Sequence, residues 1–223
     1  MSRTAVMASL VALVASASWA QDSRVELGVV AGWTLSDGVT GGPVLGGDGN
    51  LYDSIEPKDS FSYALNLGYF VTENIEAGGL FSQQRSKMVI SGVQERELGD
   101  WSVDNYHFYL AYNTGAADSK TRFYFLGGLG ATHYGNVSFE TVATPPQTRE
   151  IGGQTQFSTT WGLGVKLYPG NNVGVKLGAR WTPTYIKSDA DGWWCDPYWG
   201  CYVTGDPQYS NQFEFSGGLS FRF

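Results

Sequence analysis

From residue 24 onward, apolar and polar side chains alternate with a period of two in eight separate runs. Taking every second residue, the apolar sets are Val25 to Trp33, Phe61 to Tyr69, Ile75 to Phe81, Tyr106 to Tyr112, Phe123 to Ala131, Phe157 to Leu167, Val173 to Trp181 and Phe213 to Phe223. Gly or Thr fills a few of these places, and Gly, Ser, Asn and occasional charges stand between them. Alternation of this kind puts one set of side chains on each face of an extended strand, so eight β-strands are predicted. The connections alternate as well. Long loops at about 35–59, 135–154 and 188–210, with a middling one at 90–100, are separated by tight turns at Thr72–Asn74, Thr114–Asp118 and Pro169–Asn172. This is the order of an antiparallel up-and-down meander with turns at one end and loops at the other. Closing the sheet removes its two edges, so the prediction is an all-β, eight-stranded closed barrel.

Alternation alone does not say which face points outward. A soluble lipocalin-like barrel puts the apolar face inside, and a transmembrane barrel puts it outside. Charges make up only 16% of the chain and are sparse on the polar face, too sparse for a water-facing surface. Small residues and a few paired charges suit the narrow interior of eight strands. Aromatics gather near strand ends, as interfacial girdles require. One set is Trp33, Phe61, Tyr63, Tyr106, Phe157, Trp181 and Tyr185; the turn-end set is Tyr69, Phe70, Tyr112, Phe123, Tyr168 and Phe223. These features favour the membrane barrel.

Residues 1–20 read as a cleaved signal peptide: Arg3 supplies the charge, Ala5 to Ala17 the apolar stretch, and Ser18-Trp19-Ala20 the cleavage signal. The expected domain is therefore 21–223, beginning at Gln21. No later apolar run approaches the length of a spanning helix. The formal charge of −7 argues against nucleic acid as a partner. In an oxidising compartment Cys195 and Cys201 are expected to form a disulfide. No metal cluster or cofactor motif is predicted, since the two histidines, His107 and His133, stand apart.

The chain closes on Phe213-x-Phe215-x-Gly217-x-Leu219-x-Phe221-x-Phe223. With the eight-strand pattern, this resembles the small outer-membrane β-barrel proteins of Gram-negative bacteria, of the OmpA transmembrane-domain and OmpX kind. The resemblance implies export, insertion by the barrel-assembly machinery reading Phe213, Phe215, Leu219, Phe221 and Phe223, both termini in the periplasm, and long loops outside the cell. Outer-membrane lipid and lipopolysaccharide are the implied surroundings.

On the inward parity stand Glu26, Glu76, Arg122, Lys166, Lys176, Arg180, Glu214 and Arg222. Buried charges need partners, so a network is expected, with Glu26 near Arg222 and Arg180 near Glu214. It forms either a structural plug or a gated conduit, and eight strands favour the plug. In the last loop Trp193, Trp194, Tyr198, Trp199 and Tyr202 cluster about the cysteine pair, as surface-binding candidates or as rings that order the loop. Arg85, Lys87 and Lys187 are placed to meet lipopolysaccharide phosphates. His133 and Ser138 are near enough in sequence to raise lipid A chemistry, but lack an acidic partner, so no catalytic residue is assigned. The expected role is structural or one of surface interaction. A narrow channel or hydrophobic-ligand transporter is the alternative; a lipid A-modifying enzyme and a soluble binder follow.

Overall fold

A computed structural model describes residues 24–45, 50–140, 148–170, 172–186, 195–196, 200–201 and 208–223. The leader, Lys187 and the loop aromatics Trp193, Trp194, Tyr198, Trp199 and Tyr202 lie outside the described residues. In chain order the strands are β1 (Val25–Ser36), β2 (Val39–Leu45), β3 (Leu51–Pro57), β4 (Ser60–Phe70), β5 (Ile75–Gly92), β6 (Arg96–Asn113) and β7 (Thr121–Tyr134). They continue with β8 (Val137–Glu140), β9 (Thr148–Ile151), β10 (Gln154–Leu167), β11 (Val173–Ile186), β12 (Cys195–Asp196), β13 (Gly200–Cys201) and β14 (Gln208–Arg222). Eight of these close an antiparallel barrel in the order β1-β4-β5-β6-β7-β10-β11-β14, with β14 returning to β1.

The closing seam pairs Leu27 with Phe221, Val29 with Leu219 and Trp33 with Phe215. The apolar set faces outward: Phe108 is 82% exposed and Leu110 63%. From Phe213 on β14 the apolar parity runs to Phe223, the residue just past the strand. At ~3.3 Å per residue and a tilt near 40°, such a run rises about 25 Å along the normal, matching a bilayer's apolar band.

Three expectations about the loops need correction. The segment 35–59 is not an open loop: β2 and β3 form a hairpin, and β3 pairs with the outer half of β5, Glu56 opposite Val89. The loop expected at 90–100 shrinks to 93–95, because β5 and β6 run 18 residues each. The segment 135–154 carries the β8–β9 hairpin. A register shift at Met88/Val89 puts the consecutive residues Met88, Val89 and Ile90 all in buried positions, so the period of two breaks there.

Above the membrane the two faces exchange character. On β6 the outward side changes from Tyr106 and Phe108 to Asp104, Ser102 and Asp100, while the inward side changes from His107 and Asn105 to Val103 and Trp101. The outer extension thereby gains its own apolar core, in which Tyr52, Ile55, Met88, Ile90, Trp101, Tyr134 and Ile186 are buried together.

Candidate functional site: the filled lumen and its mouths

The site is built by parity. In the spanning part, every second residue of eight strands points into a space too narrow for an aqueous pore, and its chemistry changes with height. At the turn end, Arg222 lies with Cζ 3.7 Å from the Tyr168 ring centroid and 5.4 Å from that of Phe70. Arg122 approaches Phe70 at 5.5 Å, and its Nε donates to the Thr114 carbonyl at 3.1 Å. Phe70 is 7% exposed and Tyr168 4%, so both belong to the lumen and not to the turn-end girdle expected for them. The reason is parity: their neighbours Tyr69 and Leu167 take the outward places.

One step higher lies the charge network. Lys166 Nζ donates to Glu76 Oε2 at 2.7 Å and stands 2.6 Å from Glu26 Oε1. Glu26 Oε2 accepts from Tyr168 Oη at 2.8 Å and from Arg222 Nε at 3.3 Å. Tyr109 Oη donates to Glu76 Oε1 at 2.6 Å. Lys176 Nζ lies 2.7 Å from the Asn66 amide, which accepts from it when its nitrogen is turned toward the Gly28 carbonyl. Lys176 also stands 4.8 Å over the Tyr124 ring. Above this layer Tyr109, Ala111, Tyr124 and Leu126 form an apolar girdle inside the lumen, with Leu80 packed against it.

Arg180 and Glu214 meet at 2.6 Å on adjacent strands, with Ser82 and Ser62 as further partners. Over them runs an uncharged network. Asn105 donates to Gln212 at 3.0 Å and accepts from Thr132 at 2.6 Å, while Gln212 donates to Gln84 at 2.9 Å. His107 Nε2 is 2.9 Å from Ser158 Oγ, buried in the same layer. The apolar outer core follows. Two voids among these layers measure about 10 and 30 Å³.

The sequence placed Lys166 on the inward parity but not its partners: β10 faces β1 and β5 across the lumen, and a cross-barrel pair is invisible to neighbour-by-neighbour reasoning. Parity alone could have located two residues that sequence reasoning missed. Tyr109 and Tyr124 were readable as inward-facing from the exposed Phe108 and Phe125 beside them.

On the outer surface a row of polar side chains marks the upper limit of the apolar band. Gln83 donates to Asp104 at 2.6 Å, and His133 Nδ1 meets Thr155 Oγ1 at 2.9 Å; register places all four at one level. Ser138 lies on β8 opposite Glu150. Above this row Lys87 donates to Glu97 at 2.7 Å, Lys58 makes a second short contact to the same carboxylate, and Arg85 Nε donates to Gln83 at 3.3 Å. Hydrogen bonds from Lys58 and then Lys87 lower the Glu97 pKa from the usual 4.5 to about 2. These residues border a groove of about 820 Å³ with Asp59, Asp100 and Asn136. In the last loop, register places Cys195 directly opposite Cys201.

An apolar belt facing outward, a polar filled lumen and a closed strand order define an integral membrane β-barrel. The chain belongs to the family described as outer membrane protein beta-barrel domain, whose model matches residues 5–223. No curated protein matches the chain. Among solved structures it is similar to Neisserial surface protein A, with 14% identity, a TM-score of 0.51 and coverage of 91% of this chain and 98% of that one. It is also similar to outer membrane protein OprG from Pseudomonas aeruginosa, with 12% identity, a TM-score of 0.55 and coverage of 90% and 97%. At these identities the likeness is one of fold. The protein is an integral protein of the Gram-negative outer membrane.

Proposed function

We propose that the protein is a closed outer-membrane barrel that acts in surface recognition through its outer hairpins, and is not a conduit. The observation that carries this reading is the lumen, filled by stacked ionic, aromatic and hydrogen-bonded layers with voids of about 10 and 30 Å³. Support also comes from the outer extension, whose apolar core holds the hairpins in one arrangement without help from lipid. A rigid surface loses little entropy on docking. The last loop adds Trp193, Trp194, Tyr198, Trp199 and Tyr202 to that surface, braced by a disulfide between Cys195 and Cys201. Residues directly opposite on paired strands have Cα atoms about 4.5–5.5 Å apart, within the span a disulfide bridges. Arg85, Lys87 and Lys187 face lipopolysaccharide phosphates, and β14 carries the signal that the assembly machinery reads.

Planar-bilayer recording tests the closed lumen: the mature protein, starting at Gln21, should give no steady conductance. Regular open steps would overturn the reading and restore the narrow channel or hydrophobic-ligand transporter. Intact mass without reduction should show the two-hydrogen deficit of the disulfide. Incubation with lipid A should leave its mass unchanged. Changing Phe221 and Phe223 to Asp should abolish the heat-modifiable folded band, whereas shortening 193–202 should leave it intact.

A further inference from the structure

At the end of the barrel away from the recognition surface, a cavity of about 620 Å³ opens among the turns at Val71–Glu73, Ala117–Lys120 and Pro169–Gly170. Its inner wall is Phe70, Tyr168, Arg122 and Arg222, and Lys120 stands at its rim. The charge there does not balance: the lining carries Arg24, Lys120, Arg122 and Arg222 against Glu73 and Asp118. Below the Tyr124 layer the lumen buries four cations, Arg122, Lys166, Lys176 and Arg222, against two carboxylates, Glu26 and Glu76. Lys166 occupies both carboxylates, and Arg222 shares Glu26. Arg122 is left with backbone carbonyls and an aromatic face: it donates to the carbonyls of Thr114 and Glu73. Arg222 spends Nη1 on the Ala117 carbonyl, and its Nη2, buried, has no acceptor among the described residues. A buried donor without a partner is costly, and a buried guanidinium such as Arg122, with no carboxylate bonded to it among the described residues, is costlier.

We propose that this periplasmic mouth is a binding site for a phosphate-type dianion, seated between the guanidinium groups of Arg122 and Arg222 with Lys120 closing over it. The excess of two positive charges matches the charge of the ligand. Guanidinium forks suit tetrahedral oxyanions, offering paired donors in fixed geometry. The Phe70 ring lies 5.5 Å from the Arg122 guanidinium carbon and 5.4 Å from that of Arg222, against one side of both forks. The hydroxyls of Thr72 and Ser119 line the same cavity and can donate to further oxygens. The phosphate group is either free in the periplasm or carried on a phosphatidic-acid headgroup.

The test uses the mature protein in neutral-lipid nanodiscs, with inorganic phosphate as the probe and chloride at matched ionic strength as the reference. The phosphorus-31 resonance should broaden with the protein, and the unfolding midpoint should rise in phosphate over chloride. Both effects should vanish in R122Q/R222Q and persist in K58Q, whose change lies at the other mouth. Should R122Q/R222Q fail to give a folded gel band, the charge reversal K120E, on an exposed turn, should weaken phosphate binding severalfold. Phosphatidic acid in the disc should suppress the phosphate effect if the headgroup is the source, and leave it intact if the ligand is free. No broadening in the wild type at millimolar phosphate, or equal broadening in a folded R122Q/R222Q or K120E variant, would overturn the proposal.

Discussion

Replacing Lys166 by Met removes a single charge and retains most of the side chain's volume. The consequence follows from its position. Lys166 is 1% exposed, and its Nζ stands 2.6 Å from Glu26 and 2.7 Å from Glu76. Without it two buried carboxylates confront each other. Glu26 keeps Arg222 and Tyr168, while Glu76 keeps Tyr109 and Asn113, so neither is stripped of every donor. Breaking a buried ion pair from one side costs about 3–5 kcal/mol, most of it the penalty on the charge left behind. With a urea slope of about 2 kcal/mol/M, the unfolding midpoint in lipid vesicles should fall by about 1.5–2.5 M. Changing Glu76 to Gln in the same chain removes the carboxylate left without a cation, while Glu26 keeps Arg222, and should recover more than half of that loss. The assay is urea unfolding followed by tryptophan fluorescence, with gel mobility reporting the folded fraction. A midpoint shift under 0.5 M, roughly 1 kcal/mol, or a double variant of Lys166 and Glu76 no better than the sum of its parts, would show that Lys166 is not the hub of the network.

Gly174→Ala should destabilise the barrel by about 1–3 kcal/mol in the same assay, because a methyl group there would sit 2.6 Å from Tyr168 Cδ1 and displace the ring from Glu26. Glu97, its pKa lowered from 4.5 to about 2, contributes to holding Lys58 and Lys87 above pH 4.5 and loses that contribution as pH falls toward 2. The protection of amides at the β3–β4 connection, taken against the intrinsic exchange rate at each pH, should therefore fall across that window in the wild type, and already be low in E97Q at neutral pH.

The spanning part was legible because lipid outside and a narrow lumen inside impose opposite demands on adjacent residues, and alternation records both. The runs at Val25 to Trp33 and Phe213 to Phe223 need no partner to be read, and their pairing across the seam follows from closure. The outer halves of β5 and β6 were not legible for a physical reason. Water outside and an apolar core inside reverse the pattern between Phe81 and Met88, and the bulge at Met88/Val89 breaks its phase. A search for apolar alternation on one parity stops at that point and reports a loop. The interior charges were legible as a set, since each sits on the polar parity. Which of them meet was legible only between neighbouring strands, as for Arg180 and Glu214. The contact from Lys166 to Glu76 spans the lumen and depends on how far each strand is staggered.

The exchange of faces gives the chain two cores that share one set of strands. In the membrane, stability comes from backbone pairing and from the polar lumen, since lipid outside offers no hydrophobic drive to fold. Above it, Trp101, Tyr134, Ile90 and Ile186 are withdrawn from water as in a soluble protein. The level at which the two regimes meet is fixed by side chains that fit neither interior: Gln83, Asp104, His133 and Thr155 point outward and bond in two pairs along the wall, Gln83 with Asp104 and His133 with Thr155. Sinking the barrel by one inward-outward repeat would drag this row into hydrocarbon, and raising it by one would lift Tyr106, Phe81 and Phe157 into water. The depth of the protein is thus set by a row of ordinary polar side chains. The outer core stands beyond it, and its apolar packing does not depend on the bilayer.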